Sequence, residues 1–127
     1  MPGLGTLALV ALGGALGAVL RFALSSGVAA LLGRGFPYGT LLVNVIGSGA
    51  IGMLYVLLIE RLLAAPGWRA FLVVGLLGAL TTFSTFSLET LQLLEAGLAG
   101  RAALNVVLNV SLCLAACWIG LVVMRQW

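Results

Sequence analysis

Four long apolar runs leave this chain one kind of environment to fold in. They cover roughly residues 4–24, 40–59, 70–94 and 102–124, each close to the ~20 residues with which an α-helix crosses a bilayer. Composition agrees: the chain is 63% hydrophobic and 7% charged, with no Asp, Lys or His. That leaves too few polar groups to cover a water-facing surface. The expected fold is an all-α membrane protein, a single domain of four transmembrane helices over residues 1–127.

Met1-Pro2-Gly3-Leu4 supplies no basic region, and the apolar run behind it is too long for a signal peptide core. The first run is therefore expected to stay as a span. The connections, Gly33 to Tyr38, Arg61 to Arg69 and Ala96 to Arg101, are too short to carry a soluble catalytic domain. No pairing of nucleophile with base and no metal cluster is present, so an enzyme is not expected. Whatever the chain does is expected inside the bilayer of the cell (plasma) membrane, a cell inner membrane, surrounded by lipid. A lone four-helix bundle has little room for a solvated path, which points to two or more copies. Small residues at four-residue spacing suit close helix contacts within or between copies: Gly13 and Gly17, Ser48 and Gly52, Gly75 and Ala79, Ala116 and Gly120.

The arginines bear on orientation. Four spans put both termini on one side with the second loop, and that side receives Arg61, Arg69 and Arg125. The other receives Arg34 and Arg101, joined by Arg21 if its side chain snorkels from near the end of the first span. Three against three removes the positive-inside bias that normally sets topology. The chain is expected to insert both ways and to pair as an antiparallel homodimer. No polybasic cluster supports a nucleic-acid partner.

Polar residues then stand out. Thr40, Asn44 and Ser48 recur every four residues on one face of the second span, and Asn105, Asn109, Cys113 and Cys117 repeat the pattern on the fourth. An unsatisfied polar group costs several kcal/mol in lipid, so these stripes should face protein or water, as interhelical hydrogen bonds or as a pathway. Cys113 and Cys117, one turn apart on one helix, are poorly placed for a disulfide, and no His or Asp is present to complete a metal site.

The third span carries Thr81-Thr82-Phe83-Ser84-Thr85-Phe86-Ser87 near its middle, five hydroxyls and two rings. Gly75-Leu76-Leu77-Gly78 weakens the helix just before it. A helix broken at the midplane frees carbonyls that can coordinate a cation; a kinked helix with its hydroxyls bonded back is the alternative. Hydroxyl and amide donors beside electropositive ring edges can surround a small anion without a formal positive charge. Glu89 is the one acid deep enough to matter, as a functional carboxylate, a cap, or a partner for an arginine such as Arg21.

Gly13-Gly14-Ala15-Leu16-Gly17-Ala18-Val19-Leu20-Arg21-Phe22, Gly39-Thr40-Leu41-Leu42-Val43-Asn44 and Gly78-Ala79-Leu80-Thr81-Thr82-Phe83-Ser84-Thr85-Phe86-Ser87-Leu88-Glu89 together resemble the Fluc (CrcB) family of fluoride ion channels. The resemblance covers essentially the whole chain, and the third motif is its specific part. It implies an antiparallel dual-topology dimer with two fluoride pores shared between subunits. It implies a structural sodium ion held by the main-chain carbonyls of Gly78 and Thr81 from each subunit. Carried over residue by residue, Phe83 and Phe86 line the fluoride path, Asn44 donates to it, and Ser84 and Thr85 extend it. Thr40, Asn109 and Cys113 complete the expected lining, with Arg21 near the aqueous vestibule. The chain departs from the family pattern at Cys113 and Cys117, where Ser or Thr is usual, and at Ala79, second in the usual glycine pair. A rival is a proton-coupled transporter resembling the small multidrug transporters, which need a carboxylate in the first span; here it has none. A purely structural membrane subunit would leave the hydroxyl-rich run without purpose.

Overall fold

The computed structural model describes Met1–Trp127. Four helical spans run Leu4–Leu32, Tyr38–Glu60, Pro66–Glu95 and Ala99–Gln126. We label them α1 (Leu4–Leu32), α2 (Tyr38–Glu60), α3 (residues 66–80), α4 (Phe83–Glu95) and α5 (Ala99–Gln126), with α3 and α4 the two halves of the third span. The expected break is present: Thr81 and Thr82 are extended, at φ −81°, ψ 152° and φ −151°, ψ 115°.

The first helix outruns the expected 4–24, ending at Leu32. Ser25-Ser26-Gly27 interrupt the hydropathy, but they weaken a helix without ending it, and Val28-Ala29-Ala30-Leu31-Leu32 continue it. Gly33 ends α1 by turning to φ 81°, a conformation that favours glycine. At 29 residues, α1 is about 43 Å long, at 1.5 Å per residue. Arg21 therefore lies well inside the helix and not near its end. The third span also starts earlier than expected, at Pro66, which fits the first turn because its missing N–H would have had no helical partner.

Wide π-helical turns occupy Val56–Glu60 and Arg69–Leu77. The second of these leads into the break, so α3 is unwound before it is interrupted.

The bundle is two glycine-mediated crossings placed side by side. In the first, α1 meets α3: a Cβ at Gly13 would collide with the main-chain oxygen of Phe71, and one at Gly17 with that of Leu76. In the second, α2 meets α5, where Gly52 abuts the Cys117 carbonyl and Gly120 the Gly49 carbonyl. Of the four small-residue pairs, all members but Ser48 are used in these crossings inside one chain, bringing backbones close enough for dispersion contacts that lipid cannot supply. Only 20 of 127 residues are buried. The core is thin, and most large apolar side chains face outward, as a lipid solvent permits.

Polar bonds secure both ends. On the side of the termini, Arg125 pairs with Glu60 at 2.6 Å, and Arg61 donates to the Met124 carbonyl near the end of α5. On the other, Arg101 donates to the Gly35 carbonyl in the first loop, at 3.0 Å.

The crossings generate a contrast. Gly52→Ala is expected to destabilise by about 1–3 kcal/mol through overpacking. Gly27→Ala, whose added methyl meets nothing within 4 Å, should be neutral or stabilise by up to ~1 kcal/mol. Thermal unfolding of the two purified variants in one detergent checks the difference.

Candidate functional site

The centre of the molecule is the pairing of one side chain with one peptide unit. Breaking a helix in lipid strands the backbone groups that the ladder would have joined. Asn44, on α2, replaces that ladder at Thr82: its Oδ1 accepts from Thr82 N–H at 2.7 Å, and its Nδ2 donates to Thr82 C=O at 3.1 Å. Asn44 is buried, as is Thr82, so neither group has water as a substitute partner.

Thr82 also caps the helix that follows. Its Oγ1 accepts from Thr85 N–H at 3.1 Å and donates to Thr85 Oγ1 at 3.0 Å, with Ser84 Oγ at 3.3 Å. Thr81 turns back, its hydroxyl donating to the Leu77 carbonyl at 2.9 Å. Its methyl rests where a Cβ on residue 47 would be, so glycine at that position leaves room for the Thr81 side chain as the break lies against α2.

These captures have a consequence for the carbonyls. In an unbroken helix Thr82 N–H would donate to Gly78 C=O, and Thr85 N–H to Thr81 C=O. Asn44 Oδ1 takes the first donor and Thr82 Oγ1 the second. The oxygens of Gly78 and Thr81 thereby lose their helical partners, in a setting poor in water.

Both residues border a groove of about 490 Å³ that opens to one side of the bundle. Asn44, Ser48, Phe83, Phe86, Asn109 and Cys113 border it too, and no arginine or carboxylate does. Phe83 is 78% exposed and Phe86 7%, with ring centroids 5.3 Å apart and planes tilted by 56°. One ring faces outward over the groove while the other anchors the turn.

Toward the end of the bundle holding the first and third loops lies a second, more polar cavity, of about 530 Å³. Arg34, Arg101, Tyr38, Gln92, Thr40 and Glu89 are among its walls. Thr40 donates to Glu89 Oε1 at 2.8 Å, and the other carboxyl oxygen is buried without a donor. Glu89 is not paired with Arg21; Arg125–Glu60 is the one ion pair in the chain.

The expected lining is therefore divided. Asn44, Phe83, Phe86, Asn109 and Cys113 share the groove, Thr40 belongs to the polar cavity, Ser84 and Thr85 lie on the first turn of α4, and Arg21 borders neither cavity. Both cysteines are free thiols. Asn105 and Thr90 are the polar partners that spacing alone underrates. Asn105 is 0% exposed; it accepts from Asn109 Nδ2 and donates to Thr90 Oγ1, each at 3.0 Å. The signal was present as the first member of the stripe on the fourth span, but its partner, fifteen residues away across a turn, was not.

Residues 8–121 match the family described as CrcB-like protein, Camphor Resistance (CrcB). A protein of Methylococcus capsulatus named fluoride-specific ion channel FluC is 55% identical over 117 residues, which is 92% of this chain and 51% of that one. The chain thus spans about half the length of that relative. Proteins of the same name match it over nearly the full length of both chains: one from Pseudoalteromonas translucida is 51% identical over 93% of this chain and 98% of its own. Another, from Vibrio vulnificus, is 47% identical over 94% of this chain and 95% of its own. With four spans, a broken third helix and this likeness along nearly its whole length, the chain belongs to the CrcB family.

Proposed function

We propose that this protein is a fluoride-selective ion channel, through which fluoride leaves the cytoplasm passively and the cell gains fluoride resistance. One observation carries the proposal. Hydroxyl, amide and aromatic groups of the broken helix and its neighbours converge on one groove that no formal charge borders. A conducted anion must be held and then released, and ring edges with neutral donors do this where a buried arginine would trap it. The relatives named for fluoride conduction support the same choice.

Phe83 and Phe86 present the ring edges; Asn109 and Cys113 face them from α5. Ser84 and Thr85 continue the hydroxyl track. The Asn44 N–H groups are engaged with Thr82 and Asn109, so an arriving anion competes with those acceptors. Arg34 and Arg101 at the polar cavity raise the local anion concentration before entry, and Arg21 adds to the positive potential along α1.

The working unit is an antiparallel homodimer in the plasma membrane. The exposed Phe83 ring and the open groove are covered when a second copy packs there. A sodium ion fits the carbonyls released at Gly78 and Thr81: they are hard neutral oxygens, and their helical donors are captured by side chains. Two such oxygens from each copy would hold it. The ion would supply structural charge at the centre of the dimer.

Neutral HF crosses lipid and ionises in a more alkaline cytoplasm, trapping the anion. A potential of ~100 mV is worth about 2.3 kcal/mol per charge, enough for roughly a fiftyfold fluoride gradient at equilibrium. No nucleotide is required.

Liposomes loaded with potassium fluoride should release it rapidly on adding valinomycin, while chloride-loaded vesicles stay silent. Phe83→Leu should slow release about tenfold, the effect of losing ~1.4 kcal/mol of stabilisation at the ring edge; silence of the unaltered protein would remove the proposal. Glu89→Gln should leave fluoride release largely intact. A proton-coupled transporter would instead lose transport altogether. For the dimer, Gly100→Cys, whose added Cβ meets nothing within 4 Å, in a Cys113→Ser, Cys117→Ser background should be labelled half from each face of sealed vesicles by an impermeant reagent. Labelling from one face alone would overturn dual topology.

A further inference from the structure

Three asparagines and a threonine, from three helices, form one directional chain of hydrogen bonds. We propose that Asn105 and Thr90 are positioning residues of the pathway: through Asn109 they set the orientation of the Asn44 amide that holds the break. This goes deeper into the channel reading above and rests on it.

The direction starts at Thr90 on α4. Its single hydroxyl hydrogen is donated to the Phe86 carbonyl at 2.7 Å, so its oxygen can only accept. Asn105 must therefore turn Nδ2 toward Thr90, as it does at 3.0 Å. That leaves Asn105 Oδ1 facing Asn109, which must answer with its own Nδ2, bonded to both Asn105 Oδ1 and Asn105 C=O at 3.0 Å. Asn109 Oδ1 then faces Asn44 and accepts from its Nδ2, again at 3.0 Å. Asn44 closes on the two main-chain groups of Thr82.

A flip of any one amide sets oxygen against oxygen or N–H against N–H, with no water in reach of Asn105. Both ends of the chain demand the same orientation: the Thr82 peptide unit at one, the Phe86 carbonyl at the other. The strap thus joins the start of α4 to its second turn through side chains of α2 and α5, and it clamps the turn carrying Phe83 and Phe86.

It also decides what the groove offers. With Asn105 in place, Asn109 directs its N–H groups at Asn105. Without the Asn105 side chain, Asn109 Nδ2 keeps only the Asn105 carbonyl, and the N–H that faced Asn105 Oδ1 is free to meet a passing anion, hold it longer, and accept other halides.

The test uses the full chain, purified and reconstituted. Thr90→Val keeps shape and removes the acceptor; Thr90→Ser keeps the hydroxyl. The side-chain N–H resonances of Asn44 in detergent micelles are expected to move in Thr90→Val, although Thr90 does not touch Asn44, and to return in Thr90→Ser. In liposomes, Thr90→Val and Asn105→Leu should each reduce the ratio of fluoride to chloride release roughly tenfold. The double variant should be no worse than either single one. If Thr90→Val leaves the Asn44 resonances and the selectivity unchanged while the unaltered protein conducts, the strap has no positioning role. If the two effects add, Thr90 and Asn105 act separately and the proposal also fails. Absence of fluoride release from the unaltered protein would instead overturn the channel reading, and the resonances would then report on the strap alone. Should Asn105→Leu fail to fold, the Thr90 pair decides.

Discussion

A peptide unit stranded in lipid has to be hydrogen-bonded by something, and here a single amide does it. The carboxamide of Asn44 carries the same donor and acceptor as a peptide group, so it can stand in for the ladder at Thr82. With that pairing the third span can be broken at its centre without leaving Thr82 unsatisfied. The released carbonyls of Gly78 and Thr81, the cap at Thr82 and the placement of the two phenylalanines all follow from it.

The pairing works because α2 lies very close to the break, and that closeness comes from residues with almost no side chain. Gly47 leaves room for the Thr81 methyl, and Gly52 with Gly120 draws α2 against α5. The polar stripe of α5 thereby comes within reach of Asn44. Glycine acts here by permitting contact, while the amides supply direction. The apolar face of the bundle gives neither, since lipid solvates leucine as well as leucine does. That is why so thin a core can coexist with so specific a centre.

Much of this was legible. Run length gave four spans, and the glycines before Thr81 marked where the third would weaken. The asparagine stripes had two readings, interhelical bonds or pathway; the structure shows the bond between Asn44 and Asn109 and sets both beside the groove. Periodicity could place both on buried faces but could not say that those faces meet. Arg21 and the end of the first span were misplaced for a simpler reason. Hydropathy reports where lipid would accept a residue, whereas a helix ends where its backbone is capped, and for α1 that is Gly33. The small-residue pairs, open to use within or between copies, serve the two crossings inside one chain, where backbone meets backbone, except at Ser48, which borders the groove.

The solvent, the number of spans, the place where the third span weakens and the residue types able to meet a small anion can all be read from the amino-acid order, because they follow from hydropathy, backbone propensity and the donor inventory of each side chain. Helix packing settles which amide serves which peptide unit, which carbonyls are released, and that Asn105 and Thr90 belong to the same network as Asn44. Hydrogen bonds act over ~3 Å with a strict sense of direction, and partners separated by 38 or 65 positions acquire that geometry only when the helices have packed.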